Sequence, residues 1–557
     1  MRTLSFLLAA LALSATPAVA GAEQLVPPGR TPVIPTPQGP LRGVVRNGVI
    51  EVRGIPYARK PDRWSLPQPA GNWKEPLDGG SFGPACPQLA RFGLTEASDA
   101  EDCLSLNVSR PRSIPVGRRL PVLVWIHGGA FVGGASSLYR LDALARRDLV
   151  VVTPNYRLGV LGFMPHPAFD QVSNGNLGLM DQREALRWVQ RNIAAFGGDP
   201  TNVTIAGESA GAGSICAHLA APELSGGLFH KAVLISGGCL APLPTVQTYS
   251  QLGSEISAAV GCREGNREAL LACLRAKPLQ QLLEAGDRAT QGKTMSFGPS
   301  TGPAQANPRS MAKALAEGKV LNVPLLMGGA RDELRLYMGY EQQSNDPITK
   351  NNYANRLFAH YKTDAEQNLN PDSPPLKERR ERILARYPLR DPNRAPETIG
   401  SVISHYNPQV GISNCLYLHT ATQMRERIGM PIYGFEFADP NALVLGVGIT
   451  ATPDPRMEFG AVHSSALNYL FPHLSNTSRI DGPDLLLESQ PLADQMQQMV
   501  ATFAATGVPS AAGLPPWPIF KGGTNVMRLM PGKSAAYDAS TYHSCSFWRD
   551  LFPEQLS

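Results

Sequence analysis

Several short, almost wholly apolar runs punctuate the chain: LPVLVWI at Leu120–Ile126, LVVVT at Leu149–Thr153, VTIA at Val203–Ala206, AVLIS at Ala232–Ser236 and VPLLM at Val323–Met327. A strand wet on one face alternates apolar and polar positions. Runs that are apolar throughout suit strands covered on both faces, as in a mostly parallel sheet. Between them lie helical patterns. DQREALRWVQRNIAAF starts at Asp181, places Leu186, Val189 and Ile193 at i, i+3 and i+7, and stops at Gly197-Gly198. Such alternation predicts an α/β fold, a central mostly parallel sheet flanked by helices. From about Tyr340 to Pro408 the chain is more polar, with helical pieces NNYANRLFAHY and LKERRERILARY. This reads as an insertion beside the sheet, so residues 21–557 form one catalytic-sized domain with a Pro-rich lead-in at about 21–38.

With 43% hydrophobic and 17% charged residues in 557, the composition is that of a globular chain with a sizeable core. The net charge of +5 is modest. The densest basic cluster, KERRER at Lys377–Arg382, alternates with Glu and reads as a solvated helix face, not a nucleic-acid stripe. Residues 1–20, MRTLSFLLAALALSATPAVA, combine Arg2, an apolar run from Leu4 to Leu13 and the small-x-small site Ala18-Val19-Ala20. That predicts a signal peptide cleaved after Ala20 and a secreted or periplasmic protein. No later segment approaches the ~20 apolar residues of a membrane span. Eight cysteines fit an oxidising compartment, and Cys86/Cys103 and Cys262/Cys273 are each close enough in sequence to close a small loop. GVGITA at Gly446–Ala451 resembles a dinucleotide loop but is followed by Pro453, and reads as an ordinary loop. The sequons at Asn107, Asn202 and Asn476 matter only in a glycosylating host.

The candidate chemistry centres on Ser209. VTIA, GESAG and AGSICAHLA form an apolar strand, a sharp turn and a small-residue helix, the context of a nucleophile elbow. A chance G-x-S-x-G is common, so the rest of the machinery must be present too. A serine hydroxyl needs a base, an acid that orients the base, and an oxyanion hole. His127-Gly128-Gly129-Ala130-Phe131 follows a buried-looking strand, and its glycines permit backbone N–H groups to approach a developing oxyanion. The acid comes next in chain order, and Ala330–Leu334 (ARDEL) offers Asp332 and Glu333. Six histidines lie downstream: His360, His405, His419, His463, His473 and His543. Order alone does not choose among them. Neither an H-E-x-x-H nor a clustered Cys/His pattern occurs, so no metal or organic cofactor is expected.

An ordered set of segments resembles the type-B carboxylesterases, the cholinesterase-like branch of the α/β-hydrolases. It runs from about Gly39 to Phe552 and includes RGIPYARKP, EDCLSLNV, NYRLGVLGF, GNLGLMDQREALRWVQRNI and FGGDPTNVTIAGESAGAGS. The resemblance implies a carboxylic ester hydrolase with Ser209 as nucleophile, His463 as base then acid, and Glu333 as the orienting acid. It implies oxyanion-hole amides at Gly129, Ala130 and Ala210, a carboxylate shaping the pocket's field at Glu208, and a supporting serine at Ser236. Phe131, Leu336 and Tyr337 fall at pocket positions. It also pairs Cys86 with Cys103, Cys262 with Cys273 and Cys415 with Cys545, leaving Cys216 and Cys239 either free and buried or an additional pair. The expected partner is a small-molecule ester. Carbamates, aryl amides or long-chain lipids could enter the same site, and some members of the fold have lost catalysis and only bind. Two departures stand out. The Cys86–Cys103 loop has no Trp, which speaks against a choline ester, and Ala466 stands where the family often has an acid.

Overall fold

The computed structural model describes residues 29–556 except 91–96, 171, 264, 291–296, 344–345, 363–365, 367–368, 371–372, 445–456 and 476–481. The expected signal peptide, the lead-in up to residue 28, the GVGITA loop and Asn476 lie outside the described residues.

Among the described residues the main sheet has 12 strands. In chain order they are β1 (Gly29–Arg30), β2 (Val44–Arg46), β3 (Val49–Pro56), β4 (Ser105–Pro111), β5 (Leu120–Ile126), β6 (Val150–Pro154), β7 (Gly198–Glu208), β8 (Lys231–Ile235), β9 (Leu325–Ala330), β10 (Ile432–Phe437), β11 (Val526–Leu529) and β12 (Ala535–Tyr537). In space β6 lies between β4 and β5, and the remaining strands follow sequence order. From β6 to β11 every neighbouring pair is parallel, while both edges are antiparallel.

The apolar runs are explained by burial on both faces. Val122, Val124 and Ile126 of β5 point into one core cluster, with Val203, Ile205, Ala232 and Leu234. Leu123 and Trp125 point into the other, with Ala206, Val233 and Ile235. A strand sandwiched in this way has no solvent face on which a polar residue would be tolerated.

The helices that matter to the site are α1 (Leu177–Asn192), α2 (Ala210–Leu219), α3 (Arg335–Glu341), α4 (Tyr353–Ala359), α5 (Pro374–Arg386), α6 (Ala395–His405), α7 (Asn414–Ile428) and α8 (Gln490–Thr506). Helix α1 covers one face of the sheet through Leu179, Leu186 and Val189, and α8 covers the other through Met496, Met499, Val500 and Phe503. The sequence places the start of α1 at Asp181, but the helix begins one turn earlier. Asp181 is fully buried inside it, held by Arg157 at 2.8 and 2.7 Å, so it is an anchor and not a solvated first-turn acid.

The polar stretch after Tyr340 is helical: α4, α5 and α6 fall in it. On α5, Leu376 and Ile383 are buried while most of Lys377–Arg382 faces outward. Helix α6 braces α3, with Ser404 Oγ accepting from Leu334 N–H at 2.9 Å and Ser401 Oγ accepting from Arg335 Nε at 3.0 Å. Among the described residues no helix is long and apolar enough to cross a membrane.

Four disulfides close the structure: Cys86–Cys103, Cys216–Cys239, Cys262–Cys273 and Cys415–Cys545. Cys216 and Cys239 thus form an additional pair, tying α2 to the loop after β8. Intact-mass measurement after alkylation without reduction is expected to find no modified thiol; a labelled Cys216 or Cys239 would contradict this pairing.

Candidate active site

Strand β7 ends at Glu208 and helix α2 begins at Ala210, so Ser209 alone makes the turn. Its backbone sits at φ 55° and ψ −122°, a conformation that costs a non-glycine residue on the order of 1–3 kcal/mol. Neighbours impose it. Ser209 N–H donates to Ile235 O at 3.0 Å and Ser209 O accepts from Gly213 N–H at 2.9 Å. The flanking glycines are required by packing. A Cβ on Gly211 would lie 2.1 Å from the Ile126 carbonyl oxygen, and one on Gly207 would lie 2.7 Å from the Gly211 carbonyl carbon.

At the ends of the neighbouring parallel strands the chain delivers the remaining groups, as active sites on such sheets require. His463 Nε2 is 2.9 Å from Ser209 Oγ, and His463 Nδ1 is 2.7 Å from Glu333 Oε2. The carboxylate can only accept, so Nδ1 carries the proton and Nε2 of the neutral ring accepts from the serine hydroxyl. Glu333 is fully buried, and its Oε1 accepts from Ala330 N–H at 2.8 Å and Tyr417 Oη at 3.1 Å. The histidine and glutamate loops are also sewn together by backbone, His463 N–H to Glu333 O at 3.0 Å.

Glu208, immediately before the serine, is buried as well. Its Oε1 lies 3.3 Å from His463 Nε2 and accepts from Ser464 Oγ at 2.6 Å. Burial raises the Glu208 carboxyl above its ordinary value, against the opposing pull of His463 and Ser464. Burial works to lower the His463 pKa, but Glu208 and Glu333 outweigh it and hold the imidazole above its ordinary value. Ser209 itself keeps partial exposure, so a solute can reach it.

The Gly-rich segment after β5 turns through three successive positive φ values, 112° at Gly129, 53° at Ala130 and 60° at Phe131. The loop closes on itself, Val132 and Gly133 N–H both donating to Gly129 O at 3.0 Å. Among the described residues the amides of Gly129, Ala130 and Ala210 donate to no protein acceptor. Ala210 opens α2, where first-turn amides have no intrahelical partner. His127 supports this loop. Its Nδ1–H donates to Gly128 O at 2.9 Å, its ring stacks on Tyr156 at 4.3 Å, and burial pushes its pKa down to about 4.

Other predicted residues fall into two groups. The Tyr337 ring lies 6.1 Å from that of His463, and Leu336 is buried beside it on α3. Phe131 is buried edge-on against Phe163 at 4.9 Å. Ser236 follows β8 directly at φ 55°, its N–H on Gly328 O at 2.7 Å, which places it one residue from the carbonyl that holds Ser209. Asp332, the rival acid, is turned away: Arg331 at 2.6 Å, Arg335 at 3.3 Å and Ala461 N–H at 3.1 Å occupy it. It anchors the histidine loop instead. Three of the other downstream histidines are engaged elsewhere: His405 and His543 face each other at 2.7 Å and His473 pairs with Asp484 at 3.2 Å. Sequence reading missed Tyr417, Ser464 and the Ala330 amide. Ser464 adjoins the candidate base and was within reach of inspection; Tyr417 arrives from α7 with no local signal. Among the described residues no cluster of three or more His, Cys, Asp or Glu could hold a metal ion.

The parallel sheet, the serine turn after β7 and the acid and histidine loops after β9 and β10 define an α/β-hydrolase. Residues 30–548 match the carboxylesterase family, and the chain belongs to it; it is a carboxylic ester hydrolase. It is 31% identical to an acylcarnitine hydrolase of Mus musculus, over 95% of this chain and 92% of that one. A para-nitrobenzyl esterase of Bacillus subtilis (strain 168) is 39% identical over 55% of this chain and 63% of its own length. The solved structure of a thermophilic PNB esterase superposes with a TM-score of 0.71 at 30% identity, covering 92% of this chain and 99% of that one.

Because Gly211 has no space for a side chain, Gly211→Ala is expected to lower stability by about 1–3 kcal/mol and to cut esterase activity at least tenfold. Urea unfolding and initial rates check this. A variant with wild-type midpoint and rate would contradict the close approach.

Proposed function

We propose that the protein hydrolyses carboxylic esters through an acyl-enzyme on Ser209, with His463 as general base and acid and Glu333 as the group that orients it. The observation that carries this reading is the unbroken hydrogen-bonded chain Ser209–His463–Glu333, at 2.9 and 2.7 Å, in a turn strained to expose the serine. As Ser209 Oγ attacks the ester carbonyl carbon, its proton passes to His463 Nε2. The negative charge that develops on the carbonyl oxygen is met by the amides of Gly129, Ala130 and Ala210. Collapse breaks the bond to the alcohol oxygen, which takes the proton from His463. Water then gives a proton to the same nitrogen and attacks the acyl carbon, and Ser209 recovers its proton as the carboxylic acid leaves.

Glu333 and Glu208 both favour the imidazolium formed in each half of this cycle. Tyr337 and Phe131 would border the acyl and alcohol groups. Four disulfides support maturation in an oxidising compartment, and with the signal-peptide pattern of residues 1–20 they favour a secreted or periplasmic location. The absence of Trp from the Cys86–Cys103 loop favours esters without a quaternary ammonium.

Initial rates on p-nitrophenyl acetate, butyrate and decanoate test the assignment. Ser209→Ala is expected to lose about 10⁴-fold or more, and Glu333→Gln to lose far more than Asp332→Asn. Folded Ser209→Ala with near wild-type rates, or Asp332→Asn as the deader variant, would overturn it. The base must be neutral to work, and its pKa is held above 6.5, so kcat/KM is expected to keep rising as pH climbs past that value. A plateau already reached at pH 6 would contradict the electrostatic reading.

A further inference from the structure

Residue 464 follows the histidine directly and sits at φ 66°, in the left-handed region that favours glycine. A serine there carries a conformational cost that glycine would not, so its hydroxyl invites a reason. Ser464 Oγ donates to Glu208 Oε1 at 2.6 Å, and that same oxygen lies 3.3 Å from His463 Nε2. The neighbours offer no alternative. Ser465 Oγ is turned into its own loop on Val462 O at 2.6 Å, and Ala466 is apolar. On the other side, the absent Cβ of Gly128 leaves room for the carboxylate, since a Cβ there would stand 2.8 Å from Glu208 Oε2.

We propose that Ser464 is a positioning residue whose hydroxyl holds the Glu208 carboxylate, ionised, against His463. The proposal rests on the reading of His463 as the base of the ester hydrolase. The charged and titratable groups facing Glu208 are His463, Glu333 and the hydroxyls of Tyr139, Tyr337 and Tyr417. Burial and Glu333 both drive Glu208 toward the neutral acid; His463 and Ser464 oppose them. Removing the hydroxyl therefore lets Glu208 protonate more readily. With less negative charge beside it, the imidazolium is less favoured, and the base is freed at lower pH. The same loss removes a stabilising charge from the imidazolium formed in the transition state, so kcat falls while KM changes little.

The test is the pH profile of kcat/KM on p-nitrophenyl butyrate for wild type, Ser464→Gly, Ser464→Ala, Glu208→Gln and the double variant Ser464→Gly/Glu208→Gln. Glycine relieves the left-handed backbone and alanine does not, so the pair separates hydroxyl from strain. The acid limb is expected about half a pH unit lower in both Ser464 variants, with kcat reduced severalfold. Glu208→Gln is expected to move the limb further in the same direction, and adding Ser464→Gly to it to change nothing more. Superimposable profiles for wild type and Ser464→Gly, with or without a shift in Ser464→Ala, would overturn the proposal. An additional shift in the double variant would do the same. Unchanged turnover in Ser209→Ala would strike the active-site reading instead, which keeps the two failures apart.

Discussion

Gly211 passes so close to the carbonyl of Ile126 that no side chain fits between them, and much of the site follows from that contact. It presses the start of α2 onto the end of β5 and leaves one residue to reverse direction. That residue is Ser209, forced to φ 55° with its side chain thrown clear of strand and helix. The same approach brings the first amide of α2 alongside the Gly-rich loop that leaves β5. The candidate nucleophile and candidate oxyanion donors are thus products of one packing constraint, not independently placed parts. The strain is sustained because the surrounding sheet is buried on both faces and cannot relax around a single turn.

A second constraint is electrostatic. Two carboxylates, Glu208 and Glu333, are buried on either side of one imidazole, with no arginine or lysine among the groups that shift the His463 pKa. Isolated buried charges of this kind are costly unless paired and hydrogen-bonded. Here Ala330 N–H and Tyr417 Oη partner Glu333, and Ser464 Oγ partners Glu208. The arrangement is best satisfied when His463 is positively charged, which is the state it would enter during each proton transfer of the proposed cycle. A site whose ground state is left short of positive charge favours a transition state that supplies it.

Much of this was legible in the sequence, and the reasons are physical. The doubly covered strands write their burial directly into unbroken apolar runs, so β5 to β9 are visible without any structure. The β7–α2 turn is visible because the requirement for Gly207 and Gly211 is local. The choice between Asp332 and Glu333 was not local. Adjacent carboxylates differ only in which way the turn after β9 points them, and Arg331, Arg335 and the Ala461 amide decide that for Asp332. The choice of His463 over five other histidines needed the family resemblance for the same reason. Tyr417 reaches Glu333 from 84 residues away on another helix, a contact no spacing rule encodes. The edge strands β1 and β12 are too short and exposed to leave a hydrophobic pattern.

On the proposed mechanism Ser209 is made nucleophilic by His463 and by its own strained turn. Labelling with a small fluorophosphonate near neutral pH, followed by peptide mapping, tests it most directly, because the reagent reports the activated hydroxyl itself and not substrate fit. One adduct per chain is expected, on Ser209, formed at a rate that collapses in His463→Ala although the serine is still present. An adduct on another residue, or labelling of Ser209 at the wild-type rate without His463, would contradict it.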